Sequence, residues 1–476
     1  MSTIRTNQLS RRHLATCIAA AFALTAFAPE CFAAYDNVQN CNDTGSGSLR
    51  ATIANAASGD TVVLNPVTMQ CSAITLGSGE IAVPQNDLTV KYNGNNSNRF
   101  VLIGSNHRIF HHTGTGKLTL QRLSLGLGTA TDADAIVVPT GKYTTANEVA
   151  GGCVYSPGVV DLENSQVKYC SVSSDLGSNN SFGVGGGIYA GTGLIMNNST
   201  LRNNSVTAYV SPTNGSYARC GGANIGGFFS AANGYLDVNY STIRDNAAGG
   251  SGGGLCIGLQ STPAPLSTIR NSTLSGNSAA STSAIYDRGP LTIENSTISG
   301  NSATGTAYSV SAIFAGQNLT LRNTTVAFNR AANGAAIWLN YQQAGGKSNY
   351  TADFESSIVA NNTSNGTEAD VYTKVRSVPP TIAGANNIVM NAPVNASLPG
   401  DTLADDPLLL PLANNGGPTQ TLAFRDGSPA FGNGNNNSSL GTDQRGSGFP
   451  RTVNGATDIG AFQQQVRDVV FASGFD

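Results

Sequence analysis

Short runs of alternating apolar and polar residues follow one another along this chain, and the phase of the alternation slips at recurring points. Between Thr268 and Asn340 the same order occurs three times, as TIRNSTLSGNSAASTSAIYDRGP, LTIENSTISGNSATGTAYSVSAIFAGQN and LTLRNTTVAFNRAANGAAIWLN. In LTIENSTI, Leu291 and Ile293 fall on one face of a strand, whereas Ile298 has the opposite parity. A strand keeps a strict period of two, so the chain must turn a corner between them, near Asn295. Asparagine tolerates the left-handed region well for a non-glycine residue and suits such a corner. A β-rich repeat this short cannot bury a core alone and has to stack on its neighbours. The pattern therefore predicts an all-β parallel solenoid.

Two columns of asparagine accompany the pattern. The first is Asn164, Asn198, Asn271, Asn295 and Asn323, with Tyr240 and Glu355 as exceptions. The second lies three residues after the aliphatic position: Asn204, Asn246, Asn277, Asn301, Asn329 and Asn361, with Cys170 in that place one coil earlier. Its shortest interval, 24 residues from Asn277 to Asn301, sets the bare repeat. Stacked asparagines can hydrogen-bond along such a column. A further strand of small residues followed by an aliphatic recurs as GGCVY (151–155), GGGIYAG (185–191), CGGANIGG (220–227), GGGLCIG (252–258), SAIYDRG (283–289), SAIFAGQ (311–317) and GAAIWLN (334–340).

An open solenoid end exposes core and strand edge, so caps are expected. Residues 34–64 fit an N-terminal cap: Ser46 or Ser48 can start a short helix in which Leu49, Ile53 and Ala54 share a face. The solenoid is placed at 65–400, with less regular first coils from Ile81 to Leu125. A C-terminal coil and cap is placed at 401–463, and a tail at 464–476.

Composition narrows the classes. The 476 residues carry a net charge of −3, 11% charged residues and 56 glycines. That balance is neither basic enough for a nucleic-acid partner nor acidic enough for a disordered chain. Residues 1–33 read as a secretory signal: Arg5, Arg11 and Arg12, an apolar run from Leu14 to Ala28, then Cys31-Phe32-Ala33. Ser10 to Leu14 also resembles a twin-arginine signal. Export leaves six mature cysteines, Cys41, Cys71, Cys153, Cys170, Cys220 and Cys256. An even number in an exported chain favours disulfides, with sequence neighbours the favoured partners, though spacing alone leaves connectivity open. No later segment is apolar and long enough to span a membrane.

The repeats resemble those of polymorphic outer-membrane proteins and other right-handed β-helix proteins. The resemblance implies a single-stranded right-handed parallel β-helix, pectate-lyase-like in architecture. The segment from Cys41 to Leu64 is similar in part to the N-terminal region of proteins named for a CSLREA motif, with Gly47-Ser48-Leu49-Arg50-Ala51-Thr52 in its place. The C-terminal stretch carries five ordered blocks: Asp406-Pro407-Leu408-Leu409, Asn415-Gly416-Gly417-Pro418-Thr419, Gly427-Ser428-Pro429-Ala430, Thr442-Asp443-Gln444-Arg445-Gly446 and Asp458-Ile459-Gly460-Ala461-Phe462. On these it resembles the choice-of-anchor Q family. Phe431-Gly432 and Gln463 depart from the family's usual Ile-Asp and Glu. Arg445 is expected to pair with Asp443 or Asp458 in a structural staple. The QQVRDVVFASGFD ending resembles the short GFD-type tails of some secreted proteobacterial proteins.

Candidate chemistry is sparse. The GGG runs lack a following GK[ST] and recur with the coil, so they are not phosphate loops. The N-x-S/T triplets are a by-product of the asparagine columns. Glu163, Arg270, Glu294 and Arg322 precede the first column and read as an outer-face ion-pair ladder of small energetic worth. His107, His111 and His112 have a spacing that suits a metal only on a helix, and their segment reads as strand and turn, so no metal site is expected. Three functions remain. The first is a structural or adhesive surface protein, a monomer binding extracellular glycans or cell surfaces without catalysis. The second is a polysaccharide lyase or hydrolase. Its least improbable residues are Asp132, Asp134 and Lys142, then Glu368, Asp370, Lys374 and Arg376, with Ca²⁺ as cofactor under that reading alone. The third is a non-catalytic glycan-binding module using the loops around Tyr143, Tyr209, Tyr217 and Tyr341.

Overall fold

A computed structural model describes residues 33–465 apart from 96–97, 139–145, 175–180, 209, 212–214, 217, 227–232, 259–264, 307–308, 341–350, 366, 374–380 and 392–395. The chain winds as a parallel β-helix. One turn shows the plan: Leu291–Glu294 lies in a first sheet, Thr297–Ser299 in a second, Ser302–Ala303 in a fourth and Ser309–Ala315 in a third. Among the described residues the first sheet has 12 strands from Tyr35–Val38 to Thr381–Ala385, the second 11, the third 10 and the fourth 9. Successive coils pair in parallel, as Leu291 on Leu319, Ile298 on Val326 and Ile313 on Ile337. These inward residues are fully buried, and each such aliphatic chain contributes about 1.5–3 kcal/mol.

Two left-handed corners explain the slips of phase. The first corner is taken by Asn164, Asn198, Tyr240, Asn271, Asn295, Asn323 and Ser356, with φ between 45° and 50°. The second is taken by Leu127, Tyr169, Asn203, Asp245, Gly276, Gly300, Phe328 and Asn361. Directly after it stands the hydrogen-bonded asparagine column. Asn301 Nδ2 donates to Asn329 Oδ1 at 2.9 Å, and Asn277 uses both its amide Nδ2 and its backbone N–H on Asn301 Oδ1 at 2.9 and 3.0 Å. Each Nδ2 also donates to a carbonyl of a preceding coil, as Asn301 does to Leu274 O. A side chain with one strong acceptor and two donors fills this position best.

Two expected positions are corrected. The ladder passes from Asn329 to Asn362, not Asn361, and the first corner falls on Ser356, not Glu355. One cause serves both. In this coil Ile358 stands opposite Thr325 and Val359 is the inward residue, so counting from the first aliphatic shifts the register by one. The second ladder, of hydroxyls, went unread in the sequence: Ser199 N donates to Ser241 Oγ, Ser241 N to Ser272 Oγ and Ser272 N to Ser296 Oγ, at 3.0–3.1 Å. It is the Ser/Thr that follows each corner residue.

The cap helix is Leu49–Asn55, and Ser48, not Ser46, accepts from Ala51 N. Leu49 and Ile53 are buried; Ala54 is exposed, and Ala56 packs in its stead, as the helical period from Leu49 requires. Disulfides join Cys41–Cys71, Cys153–Cys170 and Cys220–Cys256.

The C-terminal segment does more than close the last coil. Leu403 pairs with the end strand at Val389, but the chain then runs back along the outside of the second sheet. Its anchors step through successive coils: Gln420 O on Thr273, Thr442 O on Asn295, Asn435 O on Asn323, Asn435 N on Ser356 Oγ and Asn433 O on Asn386. Ile358 and Ala360 face outward into this strap and pack with Phe424, Ala430 and Ile459. Gln444 is its central peg. Its amide donates to Thr273, Thr419 and Gln420 O, and its carbonyl accepts from Thr297 Oγ1 at 2.6 Å. Arg445 pairs with Asp443 at 2.7 Å, both buried, and lies 4.0 Å from the ring centres of Phe449 and Phe462. Asp458 instead accepts the backbone N–H groups of Gly432 and Gln464.

Candidate functional site

The third sheet turns its outer face away from the strap. Parallel register puts Ala82, His111, Tyr155, Tyr189, Asn224, Cys256, Tyr286, Phe314, Trp338 and Tyr372 in a single outward column. The aromatic place in the recurring small-small-aliphatic strand is thus a stripe along the solenoid, interrupted by Asn224 and by the Cys220–Cys256 disulfide.

Toward the C-terminal end, Tyr286 and Phe314 stack at 4.5 Å with nearly parallel rings. Stacked rings spend their faces on each other. Phe314–Trp338 and Trp338–Tyr372 are edge-to-face pairs at 5.5 and 5.7 Å. Beside them opens a cavity of about 270 Å³, lined by Ser309, Val310, Asn333, Gly334, Trp338 and Tyr372 among others. Gly334 is required there, since a Cβ would stand 1.9 Å from Ser309 O.

Toward the N-terminal end the stripe meets charge. His111 Nδ1–H donates to Glu80 Oε1 at 2.5 Å, and its ring meets Tyr155 edge-on at 5.2 Å. Among the described residues nothing holds His111 Nε2. Arg108 is buried, donating to Glu80 Oε2, Ala150 O and Asp134 O. Burial would raise the Glu80 carboxyl, but His111 and Arg108 outweigh it and hold the pKa below the ordinary glutamate value. Glu148, on the strand Ala146–Ala150, is pushed up to about 7 by burial. The Tyr155 phenol is raised, by burial first and by Glu148 second.

The residues expected to be catalytic divide. Asp132 and Asp134 lie on a one-turn 3-10 helix, where Asp134 accepts from Thr131 N at 2.8 Å and faces Arg108 at 3.8 Å. Asp134 therefore joins the cluster as a brace for Arg108. Lys142 lies outside the described residues, as do Lys374, Arg376 and the tyrosines 143, 209, 217 and 341, and the Glu368 side chain is likewise not described. Asp370 ends the asparagine ladder: Oδ1 accepts from Asn362 and Oδ2 from Asn391 N, and burial lifts its pKa to about 6. His112 points into the core, donating to Gln85 O and accepting from Ser156 Oγ. Arg270, Glu294 and Arg322 are in register across adjacent coils, and Arg270 pairs with Asp237 at 2.8 Å. Among the described residues no three His, Cys, Asp or Glu side chains gather to hold a metal ion, so those present do not fit the Ca²⁺ of a lyase.

The aromatic places were visible in the sequence as the residue after the aliphatic. Glu80, Arg108 and Glu148 were not, because they reach the cluster from irregular coils and an insertion.

No family model matches the chain, and no curated protein matches it. Among solved structures it is similar to pectate lyase Pel9A, at 13% identity and a TM-score of 0.47, over 91% of this chain and 98% of that one. It is also similar to the PL6 family alginate lyase AlyGC, at 12% identity and a TM-score of 0.29, over 92% and 60%. Neither likeness bears on the chemistry of the site.

Proposed function

We propose that this chain is an exported bacterial β-helix protein that binds glycan on the outer face of its third sheet and does not transform it. The cavity beside Trp338 and Tyr372 carries this reading. Aromatic faces suit the C–H face of a sugar ring, and Ser309 and Asn333 suit its hydroxyls. The volume admits about one ring, so affinity is low per site and grows by multivalent display. The signal-like residues 1–33 and three disulfides support export. Membership of the choice-of-anchor Q family is supported by the blocks that resemble it, which supply the strap's Asp443, Gln444, Arg445 and Asp458.

Binding to a panel of neutral polysaccharides by affinity electrophoresis tests the proposal. Trp338→Ala should weaken retardation about tenfold or more with the melting temperature little changed. Equal retardation of the variant removes the reading.

A second reading, catalysis at the other end of the stripe, is favoured by His111. A carboxylate on Nδ1 and an uncommitted Nε2 are what a general base needs. New ultraviolet absorbance from uronate polymers, lost in His111→Asn, would put an enzyme in place of the binder.

A further inference from the structure

We infer that the uncovered half of the second sheet is a binding face for a linear acidic polysaccharide lying parallel to the solenoid axis. This goes beyond the aromatic cavity, which is on another sheet. The strap covers the second sheet from about Thr273 onward. Before that point the outward positions are Gln166 and Lys168, Thr200 and Arg202, Thr242 and Arg244, in register on consecutive coils. Lys168, Arg202 and Arg244 thus stand in one column with one cation per coil. Under the strap the same column continues as Ser275, Ser299, Ala327 and Ala360.

The charges of this column are unequally compensated. Arg202 is held in place by neutral acceptors, Gln166 Oε1 at 3.3 Å, Tyr169 Oη at 3.1 Å and Asn203 Oδ1 at 3.0 Å, and its guanidinium lies 5.1 Å from the Tyr169 ring centre. Its charge is oriented but not neutralised. Among the described residues no carboxylate pairs with Lys168. Arg244 pairs with Asp245. At the neighbouring corner, Arg122 donates to Gly94 O and Arg99 to Asn164 O, again neutral groups. Among the described residues, the carboxylates at the edges of this face are Glu163 and Asp245. In a chain whose net charge is −3, this is a local excess of cations on a flat surface.

Spacing selects the ligand. Neighbouring strands lie about 4.8 Å apart, so cations recur at that interval along the axis. Duplex DNA presents its phosphates about every 3.4 Å per strand and falls out of step within a few coils. A single flexible chain with one carboxylate per sugar has no rigid duplex pitch and can follow the column, turning its carboxylates to the cations. Tyr169, about half exposed, adds an aromatic surface beside the column.

The test uses the whole mature protein and polygalacturonate, with its fully methyl-esterified form as a chain of the same sugars without charge. With the aromatic cavity disabled by Trp338→Ala in every arm, the charged polymer should bind and the ester should not, and binding should weaken with salt. The double variant Lys168→Gln/Arg202→Gln should lose at least about tenfold in affinity at unchanged melting temperature. Because Trp338→Ala is present in every arm, the binding read belongs to this face and not to the cavity. The inference is overturned by equal binding of the ester, by equal or tighter binding of duplex DNA, by unchanged affinity in the double variant, or by no binding of the parent.

Discussion

Each asparagine of the ladder serves three coils at once. Asn301 accepts from Asn277 twice and donates to Leu274 O and Asn329 Oδ1, all fully buried. Asn301→Ala strands donors of Asn277 and the Leu274 carbonyl away from water, and should cost about 1–3 kcal/mol, read as a lowered denaturation midpoint. An unchanged midpoint would show that the column is passive. Asp287 is the opposite case. It sits in the core column between Ile257 and Ala315, accepts from Gly289 N on Oδ1, and among the described residues has no hydrogen-bond partner on Oδ2. Burial, only partly offset by backbone N–H groups, pushes its pKa up to about 7. The folded state therefore holds a proton that the unfolded state releases near pH 4. Stability from this group is full below about pH 4 and falls as pH rises toward 7, at up to roughly 1.4 kcal/mol per pH unit. Glu148 acts in the same direction. Asp287→Asn should flatten the slope of unfolding free energy between pH 4 and 7; a slope equal to the parent's would mean that Asp287 is ionised in the fold.

At the scale of strands and sheets, outward composition records what covers a sheet. Strands Gln166–Lys168, Thr200–Arg202 and Thr242–Arg244 have half-buried outward ends, whereas Thr273–Ser275, Thr297–Ser299, Thr325–Ala327 and Ile358–Ala360 are buried throughout. The change from Lys and Arg to Ser and Ala was in the sequence, and it marks where the strap begins. From sequence alone the mark is ambiguous, because a strand pattern fixes which face is inward and leaves the cover of the outer face open. Gln444→Ala removes four hydrogen bonds at the middle of the strap, one of them from a buried Thr297 hydroxyl. It should expose the segment near residues 419–445 to limited proteolysis while the coils stay folded. Cleavage no faster than in the parent would show that the apolar contacts of Phe424 and Ile459 hold the strap without it.

For the whole molecule, periodicity was sufficient for the solenoid because each coil repeats the same inward residues and corners. It failed locally where a coil breaks the rule, as at Ser356-Ser357-Ile358, and for Glu80, Arg108 and Glu148, which belong to no repeat. Two different restraints divide the length. The three disulfides tie residues between Cys41 and Cys256, each closing a loop of a size worth about 3–4 kcal/mol. The strap ties the coils from Asn271 to Asn386.

The strap's anchors are unique residues at fixed places in a segment that folds back on itself, and each must meet its own coil. A duplication or loss of one coil beneath it would shift every later anchor by one strand spacing, about 4.8 Å, and leave Asn295, Asn323 and Asn386 facing the wrong partners. Solenoids ordinarily gain and lose repeats with little penalty. Here copy number is free to drift only upstream of the strap, so over evolutionary time the coils beneath the strap should keep their number while the coils before it vary.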